Sequence, residues 1–303
     1  MTGTPIPAPA RTGTIPFRGH STWFRITGGQ AATLPPLVVL HGGPGALHDY
    51  TLRFADLASP ARAVIHYDQL GCGRSTHLPE KGPDFWTVEL FLAELDNLLT
   101  HLGIAGGYHL LGQSWGGMLG AEHAVRQPAG LRSLVIANSP PSMKLWVQEA
   151  NRLRADLPAE VQATLLAHEA AGTTGSAEYE AATAVFYARH VCRVQPYPPE
   201  VQASFAGISA DPTVYFTMNG PSEFHCTGTL KHWSIIDRLG RIQAPTLLIS
   251  GRHDEATPTV VQPFADGIKG ARWRIFEESS HMPHVEQTAE CLAEIAAFLA
   301  GNE

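Results

Sequence analysis

The chain has 303 residues, of which 44% are hydrophobic and 16% are charged, a balance that supplies a sizeable core and argues against a disordered protein. The formal net charge of −7 excludes a global electrostatic attraction to nucleic acid or to anionic lipid. The sequence contains no apolar stretch of about 18 residues and no N-terminal pattern of a secretory signal. We therefore expect a cytoplasmic protein with neither nucleic-acid nor membrane partners.

Short strands are predicted in the first part of the chain. About the first 12 residues are rich in proline and threonine, which predicts a loose N-terminal arm. A hairpin follows, with strands at 14–17 and 22–26. Two continuous apolar runs, Leu37–Leu40 and Ala63–Tyr67, are typical of strands that are buried on both faces, as in a parallel sheet.

Helices and strands then alternate. Apolar residues recur at three- and four-residue steps between Val88 and Leu102, which predicts a helix with Thr87 as its cap and Gly103 as its stop. The next predicted elements are a strand at 108–111, a helix ending at about residue 126, and a strand at Leu131–Ala137. This alternation predicts an α/β fold with a mostly parallel, doubly wound sheet and right-handed crossovers.

The pattern changes after Pro140 and Pro141. The stretch 143–241 predicts several helices interrupted by prolines and no strand. Strands resume at 246–250 and 272–277, and a last helix is predicted over about 288–299. We therefore expect a core domain made of residues 1–139 and 242–303, with a helical cap domain inserted at residues 140–241.

The segment Gly112-Gln-Ser-Trp-Gly116 carries the pattern G-x-S-x-G. This spacing makes a sharp turn from strand to helix, in which the serine hydroxyl projects and small flanking residues let neighbouring backbone approach closely. An apolar strand is predicted before the motif and a helix after it. In this context the motif resembles the nucleophile turn of the α/β-hydrolases, and it predicts Ser114 as a catalytic nucleophile.

A serine nucleophile needs a general base, and the base needs an orienting carboxylate. In α/β-hydrolases both follow the serine along the chain, first the acid and then the histidine, on loops after late strands. Asp254 follows the predicted strand at 246–250, and His281 follows the strand at 272–277. Glu255 and His284 are the alternative acid and base, but position within the two loops favours Asp254 and His281.

Acyl transfer also needs hydrogen-bond donors for the oxyanion that develops on the substrate. The backbone N–H of Trp115, directly after the nucleophile, is one expected donor. Gly43, in the early loop His41-Gly-Gly-Pro-Gly45, is the other, because a glycine amide can face the site without a Cβ in the way. The histidines do not show the spacing of a metal site, so we expect no metal and no cofactor.

Four motifs together make the chain similar to the proline iminopeptidases and the related amino-acid amidases over nearly its whole length. They are His41-Gly-Gly-Pro-Gly45, Asp68-Gln-x-Gly-x-Gly-x-Ser75, Gly112-x-Ser-Trp-Gly-Gly117 and Asn219-Gly-Pro-x-Glu-Phe224. The resemblance implies removal of an N-terminal residue, often proline, from short peptides, or hydrolysis of amino-acid amides. It also implies Ser114, Asp254 and His281 as nucleophile, acid and base, without metal or cofactor.

The resemblance further implies that Glu223 and Glu255 bind the free amino group of a small-molecule or short-peptide substrate. A buried ammonium needs a charged partner, and two partners would distinguish a free terminus from an acylated one. Two other functions stay open at this point. One is an amidase or esterase for amino-acid amides, esters or lactams without peptide preference, and the other is a non-catalytic ligand-binding protein.

The aromatic residues predict packing more than ligand contact. Trp86, Trp146, Trp233 and Trp273 are expected in the core. One or two aromatic residues of the cap are expected to line the substrate pocket, and the candidates are Trp146, Phe186, Tyr187, Tyr215 and Phe216.

Overall fold

The computed structural model describes residues 5–303, and in this part of the chain eight strands form one sheet. The strands are β1 (Arg11–Phe17), β2 (His20–Gly28), β3 (Leu37–Leu40), β4 (Ala63–Tyr67), β5 (Tyr108–Gln113), β6 (Leu131–Ala137), β7 (Thr246–Gly251) and β8 (Arg272–Phe276). Their order is β1-β2-β4-β3-β5-β6-β7-β8. The pairs β1–β2 and β2–β4 are antiparallel and the others are parallel, which confirms the predicted mostly parallel sheet.

The N-terminal arm is shorter than predicted. β1 begins at Arg11, which pairs with Ile26, and the amide of Ala10 also donates to the Ile26 carbonyl at 2.8 Å. The prediction of a loose arm is therefore wrong for Ala10 to Thr12, because backbone pairing with β2 continues past the apolar pattern. The first four residues of the predicted arm lie outside the described residues.

Ten α-helices lie between residues 5 and 303. They are α1 (Val88–His101), α2 (Trp115–Ala124), α3 (Met143–Arg154), α4 (Ala159–Ala171), α5 (Ala177–His190), α6 (Pro199–Ala210), α7 (Thr213–Met218), α8 (Pro258–Gly267), α9 (Pro283–Glu286) and α10 (Thr288–Ala300). Three 3₁₀ helices span Asp49–Leu57, Thr229–His232 and Ile236–Arg241. The predicted cap of α1 is confirmed, since the Thr87 side chain accepts a hydrogen bond from the amide of Leu90 at 3.2 Å.

The segment between β6 and β7 is helical, as predicted, and we propose that residues 140–241 form a cap domain on a core of residues 1–139 and 242–303. One packing pattern supports this proposal. Around α4 and α5, buried residues such as Leu165 and Phe186 form a hydrophobic cluster of their own. The base of the segment, including Trp146 and Met218, instead packs within the main hydrophobic core.

The helices between residues 5 and 303 are all too short or too polar to cross a membrane.

Candidate active site

Ser114 lies at the junction of β5 and α2, at the carboxyl edge of the parallel strands. Its backbone has φ 57° and ψ −124°, a conformation that L-residues rarely adopt. A Cβ at Gly112 would collide with the backbone of Gly116, and a Cβ at Gly116 would collide with the Leu40 carbonyl of β3. The two glycines of the motif therefore allow β3, β5 and α2 to pack closely enough to hold this strained turn.

His281 and Asp254 lie on loops after β8 and β7 and contact each other directly. His281 Nδ1 is 2.7 Å from Asp254 Oδ1. The same oxygen accepts from the amide of Ala256 at 2.8 Å, and Oδ2 accepts from Asn138 Nδ2 at 2.6 Å. Asp254 is fully buried and is thereby fixed as the partner of His281.

The two candidate bases differ in their surroundings. Burial lowers the pKa of His281, but the Asp254 charge and its hydrogen bond outweigh this effect, so the pKa is raised above its ordinary 6.5. Burial lowers the pKa of His284 to about 3, and its Nε2 donates to the carbonyl of Tyr50 at 2.9 Å. His284 also stacks on Phe54, with ring centroids 4.6 Å apart. These contacts make His284 part of the packing. His281 is the histidine that lines the same cavity as Ser114.

One cavity brings most of the predicted site residues together. Its lining includes Gly43, Ser114, Glu223, Glu255 and His281. A smaller space shares Gly43, Ser114 and Glu223 with this cavity and is also bounded by Trp115, Trp146 and Met143, among others. Asp254 is absent from both linings because it lies behind His281. The fold thus gathers residues from both ends of the chain around Ser114.

The expected oxyanion donors border the same spaces. Gly43 has φ 109°, a left-handed conformation that suits glycine. Trp115 is the first residue of α2, so its amide has no acceptor within the helix. Gly43, Ser114 and Trp115 all line the smaller space.

Glu223 and Glu255 both line the cavity, but Glu255 is buried and Glu223 is partly buried, and the two are held differently. Tyr215 donates its hydroxyl hydrogen to Glu223 Oε1 at 2.6 Å, and the Tyr215 hydroxyl also contacts that of Tyr187. Neither carboxylate oxygen of Glu255 has a hydrogen-bond partner among residues 5–303. The nearest cationic group is His281, whose Nε2 is 3.9 Å from Glu255 Oε1.

The electrostatics of this carboxylate pair follow from burial. Burial raises the pKa of Glu255 well above its ordinary value, and the charges of Glu223 and Asp254 raise it further. Burial also raises the pKa of Glu223, although the hydrogen bond from Tyr215 opposes this shift. A buried carboxylate and a partly buried one, without a dedicated cationic partner, form a site that is best satisfied by a cation from outside.

One contributor to the site carries no signal in the sequence. Asn138 belongs to none of the motifs and reaches Asp254 across 116 positions. Tyr187 and Tyr215 are two of the five predicted candidate aromatic residues, and both contact Glu223. Trp146 is both a core residue and a site residue. Its ring lies edge-on to that of His281, with the ring centroids 5.8 Å apart, and its Nε1 donates a hydrogen bond to the Glu223 carbonyl at 2.6 Å.

The other predicted aromatic residues divide between packing and lining. Trp86 is buried in the main hydrophobic core, and the partly buried Trp233 and Trp273 pack against this core, as predicted. Tyr215 lines the catalytic cavity, whereas Phe216 is 51% exposed. A second cavity is lined by residues of the proposed cap and shares Tyr215 and Glu223 with the catalytic cavity.

Fold and site together define the class of the protein. A family model described as the α/β hydrolase fold matches residues 35–288. The chain is 38% identical to the proline iminopeptidase of Clostridium botulinum, over 96% of this chain and 98% of that protein. The crystal structure of a proline iminopeptidase from Mycobacterium smegmatis has 54% identity and a TM-score of 0.89, covering 96% of this chain and 98% of that one. The crystal structure of VinJ has 55% identity and a TM-score of 0.95, covering 98% and 100%.

The chain therefore belongs to the α/β-hydrolase family and, within it, to the proline iminopeptidase family, which makes it a hydrolase. The resemblance predicted from the four motifs is confirmed.

Proposed function

We propose that the protein is a serine aminopeptidase that removes the N-terminal residue, with proline preferred, from short peptides or amino-acid amides through an acyl-enzyme. One observation carries this proposal: Glu223 and the buried Glu255 line the same cavity as Ser114 and His281. In an N-terminal residue a single Cα separates the ammonium nitrogen from the scissile carbonyl. A cation site next to the nucleophile is therefore what an aminopeptidase requires.

In the proposed acylation step, the charge of Asp254 keeps the Nδ1 hydrogen of His281 pointing at the carboxylate. His281 Nε2 is then free to accept the Ser114 proton as the serine oxygen attacks the substrate carbonyl. The amides of Gly43 and Trp115 donate to the oxyanion that forms. His281 next transfers the proton to the departing amine, and the C–N bond breaks.

Deacylation repeats these roles with water. His281 takes a proton from the water, whose oxygen attacks the acyl-enzyme, and returns that proton to Ser114 as the free acid leaves. The substrate ammonium meanwhile offsets the negative charge of Glu223 and Glu255. The preferred partner is therefore a small molecule or short peptide with a free amino group. A cytoplasmic location and the absence of a metal or cofactor requirement are parts of the same proposal.

A panel of four substrate types tests the proposal. Proline p-nitroanilide and proline amide should be hydrolysed much faster than their N-acetylated forms, because acetylation removes the charge that the two glutamates bind. Equal rates on free and acetylated substrates would remove Glu223 and Glu255 from their proposed role. A simple acyl ester hydrolysed as well as the free proline substrates would favour the amidase or esterase alternative. Absence of labelling at Ser114 by a fluorophosphonate would favour a ligand-binding protein.

A further inference from the structure

The hydroxyl group of Tyr50 lies between two loops of the active site. Tyr50 belongs to the 3₁₀ helix Asp49–Leu57, is buried, and lines the catalytic cavity. Its hydroxyl accepts a hydrogen bond from the amide of Gly42 at 2.7 Å and donates one to Gln113 Oε1. A Cβ at Gly42 would lie 2.6 Å from that hydroxyl and 2.9 Å from the Cβ of Ser114. The loop is thus packed directly against both groups.

Gln113 extends this connection to the loop that carries the histidine. It directly precedes Ser114, and its Nε2 donates to the backbone carbonyl of His281 at 2.8 Å. A second link runs in parallel, since His284 Nε2 donates to the backbone carbonyl of Tyr50. The early glycine loop, the nucleophile turn and the histidine loop are therefore joined through two side chains that no step of the mechanism uses.

We propose that Tyr50 and Gln113 are positioning residues that hold the Gly43 amide in register with Ser114. The amide that Tyr50 fixes belongs to Gly42, one residue before the expected oxyanion donor. Two successive glycines have no Cβ to restrict their rotation, so an anchor on the first limits how the second can turn. Donors that are fixed in advance stabilise an oxyanion without reorganising during the reaction. The inference rests on the roles proposed for Ser114 and Gly43, but not on the choice of substrate.

The first test measures how fast Ser114 reacts with a fluorophosphonate in Tyr50→Phe. In this reaction the serine oxygen bonds to phosphorus, fluoride leaves, and the serine proton passes to His281. The maximal rate should fall about 10- to 100-fold, less than the 10²- to 10³-fold typical of deleting an oxyanion donor. The probe concentration at half-maximal rate should stay within about twofold of the wild type, because initial probe binding does not use the oxyanion donors.

Tyr67→Phe is the matched control. Tyr67 is also fully buried, and its hydroxyl has no hydrogen-bond partner among residues 5–303, so this variant should react like the wild type. All variants are compared at a temperature at which urea unfolding curves show them fully folded. Wild-type rates in Tyr50→Phe, or equal losses in Tyr50→Phe and Tyr67→Phe, would overturn the proposal.

A pair of ligands separates positioning from general distortion. Prolinal adds to Ser114 and generates an oxyanion, with the serine proton moving to His281, whereas prolinol binds without forming one. Tyr50→Phe should weaken prolinal by about the factor lost in the labelling rate and leave prolinol unchanged. Equal weakening of both ligands would contradict the inference. If the wild type reacts with the fluorophosphonate but binds neither ligand, the proposed substrate fails and the labelling result alone decides the role of Tyr50.

A double-mutant cycle tests whether the two residues act as one link. Gln113→Leu should slow labelling about as much as Tyr50→Phe, and the double variant should be only slightly slower than either single one, because residues in one hydrogen-bond network are not additive. Fully additive losses would show separate effects and would refute the shared link.

Discussion

Replacing Glu255 by methionine should make the protein more stable and less active at the same time. Both carboxylate oxygens of Glu255 are buried without a hydrogen-bond partner among residues 5–303. Burying a polar group in this way costs about 1–3 kcal/mol, and methionine fills a similar unbranched shape without polar oxygens. We therefore expect the free energy of unfolding of Glu255→Met to exceed that of the wild type by about 1–3 kcal/mol.

This stability gain should increase with pH. The pKa of Glu255 is raised in the folded protein, so the folded state keeps a proton that the unfolded state releases above pH 4.5. Stability from this group is thus present below pH 4.5 and is lost as the pH rises towards the folded pKa, with a slope of about 1.4 kcal/mol per pH unit. Glu255→Met lacks this loss, so its advantage should be larger at pH 8 than at pH 5.

The activity of Glu255→Met should change in the opposite direction. Removing one partner of a buried charge pair costs about 2–5 kcal/mol, and the lower part of this range applies because Glu223 remains. A loss of about 2–3 kcal/mol corresponds to a decrease of about 30- to 140-fold in kcat/KM for proline p-nitroanilide. The rate on N-acetylproline p-nitroanilide should hardly change, since that substrate brings no positive charge.

Urea unfolding at pH 5 and pH 8, combined with kinetics on both p-nitroanilides, measures these effects. Glu94→Met is the matched control, because Glu94 is also fully buried but lies outside the cavity and accepts hydrogen bonds from Thr22 and from the Leu70 amide. That variant should lose stability and keep the ratio of free to acetylated rates. A Glu255→Met protein that is less stable than the wild type, or that loses both activities equally, would refute the reasoning.

Three further outcomes follow from the triad. Ser114→Ala should abolish turnover while its circular dichroism stays that of the wild type; undiminished hydrolysis would exclude Ser114 as the nucleophile. Asp254→Asn should lower kcat about 10⁴-fold, since an amide does not hold His281 in the required tautomer, and a loss below tenfold would argue for another acid. The pH profile of kcat/KM should have an acid limb with its midpoint above 6.5, because His281 must lose a proton to act as base. Asp254→Asn should move that midpoint to lower pH, and an unmoved limb would assign it to another group.

Much of the fold could be predicted because a buried strand of a parallel sheet consists mostly of apolar residues, which is visible in a short stretch of sequence. β3, β4 and β6 have the predicted bounds, since each is a short stretch of mostly apolar residues; Asp68 follows β4, and Gly130 and Asn138 flank β6. The order of Ser114, Asp254 and His281 could also be predicted, because Ser114 directly follows a strand and the other two lie in loops after strands. Their catalytic roles, like those of Gly43 and Trp115, stay predictions until the variants are measured.

The remainder of the site has no local signature. The contact between Asn138 and Asp254 joins residues 116 positions apart, and that between Gln113 and the His281 carbonyl joins residues 168 apart. A single buried hydroxyl, such as that of Tyr50, produces no periodicity in sequence. The start of β1 at Arg11 and Thr12 was missed for a related reason, since it is held by backbone hydrogen bonds to β2 and not by apolar side chains.

The part of the proposed cap that packs against the sheet makes it difficult to replace the cap with that of another protein. Trp146, Met218 and Leu230 pack in the same hydrophobic cluster as residues of the sheet. A cap that swung open as a rigid lid would expose this shared surface to water, so substrate entry should depend on side chains at the cavity rim. In a chimera with the cap of a relative, equivalents of these three residues would have to be present. Without them the hydrophobic core would be disrupted.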